Sequence, residues 1–163
     1  MTKRHAGIKN YAKRIVVTGG AGFIGSNFLN KYVPIHADYF FINIDSLTYA
    51  GKLKNIEVDN YPNYVFEKVD IRRLKTLEKV FARHRPTDII HIAAETHVDL
   101  SIKNPRLFLE TNVQGTHNLL LLARQYEIDR FHQISTDEVY GSLSNSDKPF
   151  TTKFPVSPNN PYS

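Results

Sequence analysis

The sequence predicts an α/β domain built on a doubly wound parallel sheet. Short β-branched runs alternate with stretches of helical spacing. A glycine-rich turn closes the first run, and an acid closes the second. The first run is RIVVTG (residues 14–19), a buried strand. GFIGSNFLNKYV (22–33) then places Phe23, Ile24, Phe28, Leu29 and Val33 near helical spacing. YFFINID (39–45) is a second apolar strand and YVFEKVD (64–70) a third, alternating one. LKTLEKVFARH (74–84) sets Leu74, Leu77, Val80 and Phe81 on one helical face. TDIIHIA (87–93) is a fourth strand, a long amphipathic stretch covers about 105–126, and FHQIST (131–136) is a fifth strand. Residues 137–163, rich in Ser, Asn, Pro and Asp, read as loop. Strands separated by helices pair in parallel, with helices on both faces. Right-handed crossovers then give the order 3-2-1-4-5, one complete mononucleotide-binding half and the start of a second.

Composition narrows the function. The chain has 163 residues, 41% of them hydrophobic, enough for one domain with a core. It has no cysteine, so it has no disulfide framework and no thiolate metal site. No apolar run approaches the roughly 18 residues of a membrane span, and no secretory leader pattern follows the basic start. These features predict a cytoplasmic protein with no membrane partner. The net charge of +5 is local: Lys3, Arg4, Lys9, Lys13 and Arg14 hold five of the 21 basic residues, and the other 16 match the 16 acidic ones. A basic tail over 1–13 on a neutral domain over 14–163 lacks the basic stripe of a nucleic-acid binder.

TGGAGFIG carries the main motif. Gly20-x-Gly22-x-x-Gly25 and Gly19-x-x-Gly22-x-x-Gly25 overlap between a predicted strand and a predicted helix. Glycines there permit a tight turn and close approach of the backbone to a pyrophosphate, beside unpaired N–H groups at the helix start. Asp45 follows Gly25 by twenty residues, at the end of the second strand. A carboxylate there accepts ribose hydroxyls and repels a 2′-phosphate, favouring NAD over NADP; the plainer role is a strand-end acid capping a turn. Asp70 and Ile71 end the third strand beside the expected adenine position. Ile92, Ala93, Ala94, Glu95 and Thr96 end the fourth, across the switch point. Ala93 and Ala94 suit a cofactor lying on the backbone, or equally close helix packing. Thr136, Asp137 and Glu138 end the fifth strand, where two carboxyls in different environments can divide acid and base roles. The same triplet is a common helix or turn N-cap. His91 lies in a core strand as a satisfied buried histidine, and His97 with Asp99 is too few ligands for zinc.

TGGAGFIG, SLTYAG (46–51), AAETHVD (93–99), ETNVQGT (110–116), STDEVYG (135–141) and the terminal NPYS occur together and in order. Over about 14–163 the chain resembles the N-terminal part of the dTDP-glucose 4,6-dehydratases, extended short-chain dehydrogenases/reductases with a Rossmann-type sheet. Related sugar-nucleotide epimerases share the glycine loop and tyrosine but usually lack the acid pair, and GDP-mannose dehydratases usually keep only the glutamate.

The resemblance implies NAD contacts from Gly19, Gly22, Phe23, Ile24, Gly25, Asp45, Ser46, Leu47, Thr48, Asp70, Ile71, Ile92, Ala93, Ala94, Glu95, Thr111 and Tyr162. It implies that Thr96 touches substrate, Thr136 holds the sugar O4, Asp137 is the acid, Glu138 the base and Tyr162 the redox base. No metal is implied. The chain departs from the pattern at Leu100, where members commonly have arginine, and at Arg73, where an acid is common. The implied substrate is dTDP-glucose, or UDP-glucose, on the way to a deoxysugar such as rhamnose, and the parent enzyme is a homodimer. In this superfamily the tyrosine is followed four residues later by a lysine that lowers its pKa from about 10; position 166 lies beyond Ser163. The expectation is an N-terminal part without the C-terminal substrate domain, with an uncovered sheet edge, weak NAD binding and no turnover alone. A non-catalytic NAD-binding module and a sugar-nucleotide epimerase are the alternatives.

Overall fold

The computed structural model describes residues 11–163. Lys3, Arg4 and Lys9, the start of the basic tail, lie outside the described residues. Lys13 already belongs to the sheet: β1 spans Lys13–Thr18, and the Lys13 ammonium lies 2.8 Å from the Asp88 carboxylate. The tail boundary expected at residue 13 therefore moves to before it. The other strands are β2 (Tyr39–Asp45), β3 (Tyr64–Lys68), β4 (Asp88–His91) and β5 (Arg130–Gln133). All pair in parallel in the order β3-β2-β1-β4-β5, as expected.

Each face of this sheet has its own core. Side chains alternate along a strand, so in β1 Val16 points to one face while Ile15 and Val17 point to the other. Val16, Ile42, Ile44 and Ile89 pack with Leu77, Val80 and Phe81 of α2 (Leu74–His84) and with Leu119 and Leu122 of α5 (Thr116–Gln125). On the opposite face Ile15, Val17 and Phe41 meet Leu29 and Val33 of α1 (Phe23–Ile35). Burial on both faces is why β1 and β2 read as continuous apolar runs. Asn63, 3% exposed, fastens one end of this layer: its amide donates to the carbonyls of Val33, His36 and Tyr39 at 3.0–3.1 Å.

The stretch expected as one amphipathic helix is subdivided. A short α3 (Val98–Lys103) precedes it, and Asn104 breaks the chain before Pro105 opens α4 (Pro105–Phe108). Residues Leu109–Gly115 then widen into π-helical turns that run into α5. Gly115 is needed there, because a Cβ would lie 2.6 Å from Ile71 side-chain carbons.

β5 forms one edge of the sheet, and most of its residues are exposed. On the α1 side Ile24, Phe28, Ile90, Ile92 and Ile134 border an apolar groove of about 380 Å³. The uncovered edge and apolar face expected from the sequence are both present. Among the described residues no helix is long and apolar enough to cross a membrane.

Candidate functional site

Parallel strands point their carboxyl ends the same way, and loops there converge where the strand order reverses. In this sheet the reversal lies between β1 and β4. A cleft of about 690 Å³ opens there, walled by the loops after β1, β2, β3 and β4.

The glycine turn forms its floor. Gly19 has φ +70°, and a Cβ on it would lie 2.8 Å from the Ala93 backbone. Gly25 lies still closer to its neighbours: a Cβ would sit 2.3 Å from the Gly19 carbonyl oxygen and 2.6 Å from Gly20 Cα. The first turn of α1 therefore rests directly on the loop, and the loop on the tip of β4. Bare backbone and a helix N-terminus facing a cleft suit a pyrophosphate. Ala93 thus serves close packing, one of the two roles its size suggested.

Asp45 ends β2 with 8% exposure. Its Oδ2 accepts from the Ala21 N–H at 2.9 Å, and its Oδ1 accepts from the Leu47 N–H at 2.7 Å. The acid does cap a turn, with Leu47 at φ 56°. That bond also aims the carboxylate, which lines the cleft with Ser46 and Thr48 and retains lone pairs for ribose hydroxyls.

The corner after β3 is anchored from behind. Asn118 is 3% exposed, and its amide donates to the Ile71 carbonyl at 2.9 Å. Asp70 is gripped by Arg72, whose Nε and Nη2 donate to its two oxygens at 2.7–3.0 Å. Burial alone would raise the Asp70 pKa; the hydrogen bonds and charge of Arg72, helped by Arg73, outweigh it and hold the carboxyl below the usual range. Arg72 reaches on to Glu110, 3.6 Å away.

The β4 wall is held by a relay across the sheet. The Glu95 N–H donates to Asn112 Oδ1 at 2.8 Å, and Asn112 Nδ2 donates to the Glu95 carbonyl at 2.9 Å. The Thr116 hydroxyl donates to the Asn112 carbonyl at 2.6 Å. Its oxygen then accepts from His91 Nε2 at 2.8 Å, which leaves Nδ1 to accept from the Thr18 hydroxyl at 2.6 Å. His91 is thus a satisfied buried histidine, as expected. Glu95 is 6% exposed, with Oε2 unpartnered, and burial pushes its carboxyl pKa up against the charges of Arg72 and His97. Above it the Tyr49 and His97 rings, 5.4 Å apart, join the loops after β2 and β4. Burial first, then the Glu95 charge, raises the Tyr49 pKa.

The cleft gathers every expected cofactor residue except Leu47, whose backbone only shapes the turn. Thr96, Thr111 and Tyr162 also line it, and Leu100 occupies the departure position on its wall. Tyr162 packs edge-on to Phe108, ring centroids 6.3 Å apart. Its turn is tied by Ser163, whose Oγ accepts from the Asn159 and Asn160 N–H groups at 3.1 Å. Thr136, Asp137 and Glu138 are not on the cleft wall. They open a 3₁₀ turn (Asp137–Tyr140), with Thr136 Oγ1 accepting from the Glu138 N–H at 3.2 Å. The capping role is realised. Glu138 is still linked to the tyrosine's turn, because its Oε2 accepts from Asn160 Nδ2 at 3.3 Å. Sequence reasoning passed over Tyr49, Arg72 and Leu107, all on the wall. Tyr49 sits inside SLTYAG, so a signal for it existed; none marked Arg72 or Leu107.

Residues 16–163 match the family model described as GDP-mannose 4,6 dehydratase. The chain is similar to the dTDP-glucose 4,6-dehydratase of Haemophilus influenzae, 48% identical over 159 residues, 91% of this chain and 47% of that protein. A solved dTDP-glucose 4,6-dehydratase from Bacillus anthracis, in complex with NAD, superposes with a TM-score of 0.79 at 43% identity, over 93% of this chain and 46% of that one. A Thermus thermophilus UDP-glucose 4-epimerase in complex with NAD has the same TM-score at 31% identity, covering 91% and 46%. The chain spans about half the length of the curated relatives it matches.

Proposed function

From the premise that this chain belongs to the GDP-mannose 4,6 dehydratase family, we propose that it is the NAD-binding part of a sugar-nucleotide 4,6-dehydratase that converts dTDP-glucose to dTDP-4-keto-6-deoxyglucose. The carrying observation is one cleft that joins the glycine turn, the Asp45 carboxylate and Tyr162. The fit to a dinucleotide rests on bare backbone at Gly19 and Gly25, where a side chain has no room, and on a carboxylate aimed by Ala21 and Leu47. The greater likeness to dTDP-glucose dehydratases than to epimerases favours dehydration, as does the Thr136-Asp137-Glu138 triplet.

The division of labour follows from side-chain chemistry. Asp45 accepts the adenosine ribose hydroxyls, and Asp70 and Ile71 border the base. Tyr162 takes the proton of the sugar C4 hydroxyl, with Thr136 holding O4. NAD, which Gly19, Gly22, Gly25 and Asp45 would hold, would supply a reversible hydride acceptor for C4 and C6. The C4 ketone acidifies the C5 proton, which Glu138 removes. Asp137 protonates the C6 hydroxyl, which leaves as water, and Glu138 gives its proton back to C5 as C6 gains the hydride. For Thr136, Asp137 and Glu138 to act, the 136–140 turn must approach the cleft; Glu138 is already linked to the tyrosine's turn through Asn160. Leu109 and Val113 of the π-helical turns and Leu120 of α5 stand exposed, an apolar surface suited to a second copy. A cytoplasmic setting goes with this reading.

Calorimetric titration of NAD into this chain tests it. Wild type binds NAD more tightly than NADP, and Asp45→Ala lowers NAD affinity on the order of 100-fold, the worth of charge-assisted bonds to two hydroxyls. Unchanged NAD affinity in Asp45→Ala refutes the cofactor assignment. Incubation of a form extended to the relatives' length with NAD and either dTDP-glucose or UDP-galactose then separates dehydration, read as alkaline absorbance of a 4-keto sugar, from epimerisation.

A further inference from the structure

Arg72 lies on the turn after β3, and its guanidinium hydrogen-bonds one carboxylate, Asp70, while Nη1 lies 3.6 Å from Glu110. Its Nε donates to Asp70 Oδ1 at 3.0 Å and Oδ2 at 2.9 Å, its Nη2 donates to Oδ2 at 2.7 Å, and its backbone N–H donates to Oδ1 at 2.9 Å. Four contacts from one residue lock the plane of that carboxylate. Asp70 keeps 23% of its side chain exposed and lines the cleft, and three donors on about four lone-pair sites leave one acceptor position for a base. We propose that Arg72 is a positioning residue for purine recognition: it holds Asp70 as a fixed pure acceptor, which admits a purine with an exocyclic amino donor and rejects one with an oxo group there. The inference extends the dinucleotide reading of the cleft and fails separately from it.

The charge logic supports the geometry. An ionised carboxylate has no proton to offer, so it pairs with the adenine amino group and meets the hypoxanthine oxygen lone pair to lone pair. Burial works against ionisation at Asp70, and the Arg72 hydrogen bonds and charge override it. The other charged groups around the pair are Arg73 on the same turn, Glu110 on the helix and Glu95 on the loop after β4. Without the guanidinium, burial is opposed only by the backbone N–H of residue 72 and by Arg73, and Asp70 takes up a proton at higher pH. A neutral Asp70 donates as readily as it accepts, and the preference for an amino group relaxes.

The test uses NAD and nicotinamide hypoxanthine dinucleotide, which differ in the exocyclic group and in the proton that hypoxanthine carries on N1; N6-dimethyl-NAD, which removes the amino donors without adding that proton, is the control. Dissociation constants are measured for wild type, Arg72→Met and Arg72→Lys between about pH 5 and 8. Wild type prefers the adenine form by about tenfold or more, the worth of one hydrogen bond to a charged group. Arg72→Met loses most of that preference, increasingly so as the pH falls. Arg72→Lys keeps a charge without the fork and falls between them. A purely structural role for Arg72 weakens both dinucleotides alike and leaves their ratio unchanged at every pH, which overturns the inference. If Arg72→Met fails to fold, an unaltered ratio in Arg72→Lys overturns it equally. Wild-type protein that binds NAD without discriminating against the hypoxanthine form defeats the inference alone. Wild-type protein that binds neither defeats the dinucleotide reading, and the inference with it.

Discussion

Acidification should unfold this protein partly through one histidine. His91 is 1% exposed in β4, between Thr18 and Thr116. Both ring nitrogens are occupied, and the direction of each bond follows from its partner. The Thr116 hydroxyl gives its proton to the Asn112 carbonyl and can only accept from Nε2–H. The Thr18 oxygen already accepts from the Ile92 and Ala93 N–H groups at 3.2 Å, so its proton goes to Nδ1. A second ring proton on Nδ1 would face an oxygen with no free lone pair. Burial pushes the His91 pKa down to about 4, whereas the unfolded chain titrates near 6.5.

The unfolded state therefore binds more protons between those values, and stability must fall as pH falls through them. The contribution is fully present above about pH 6.5 and is gone below about pH 4. A gap of some two and a half pH units corresponds to about 3 kcal/mol, a large share of a typical 5–15 kcal/mol. Urea unfolding followed by circular dichroism across this range should give a wild-type slope steeper than that of His91→Gln by up to about 1.4 kcal/mol per pH unit. The same assignment can be read directly by NMR titration of the seven histidines. A His91 resonance titrating near 6.5 in the folded protein, or an equal slope in the glutamine variant, refutes the tautomer and burial argument together.

Two further substitutions probe the frame of the cleft. Gly25→Ala forces a Cβ against backbone atoms at 2.3 and 2.6 Å that no rotamer change can relieve. It should cost about 1–3 kcal/mol in urea unfolding and reduce NAD affinity as the turn opens; a variant as stable as wild type would show that the helix is free to slide off the loop. Asn118→Ala strands the buried Ile71 carbonyl and should cost about 1–3 kcal/mol. Its effect on NAD should exceed that of an equally destabilising change far from the cleft, such as Asn63→Ala, and equal losses of affinity in the two would remove Asn118 from the site.

How much of this was legible in the sequence depended on how local each cause is. The glycine turn was readable because Gly19 and Gly25 answer to backbone geometry within a few residues, and the strand order followed because parallel crossovers have one hand. Of the two roles read for Asp45 the structure shows the cap, and the capped turn also sets its carboxylate on the cleft wall. The π-helical widening of 109–115 carried no local signal. It is held by partners distant in sequence, with Thr116 receiving His91 and Gly115 pressed on Ile71. The short α3 was missed for a related reason, since six residues are too few for a periodic pattern to emerge. Arg72 was missed because a surface arginine two residues from an acid is ordinary in a sequence; only the fork closing on Asp70 at the cleft wall marks it. The same contrast governs the acid triplet. Its capping bond is local and forms within the turn, whereas its link to the tyrosine's turn runs through Asn160, 22 residues further on. A motif whose geometry is local can be placed from its letters, while one whose orientation is lent by a distant loop needs that loop in place before its chemistry can begin.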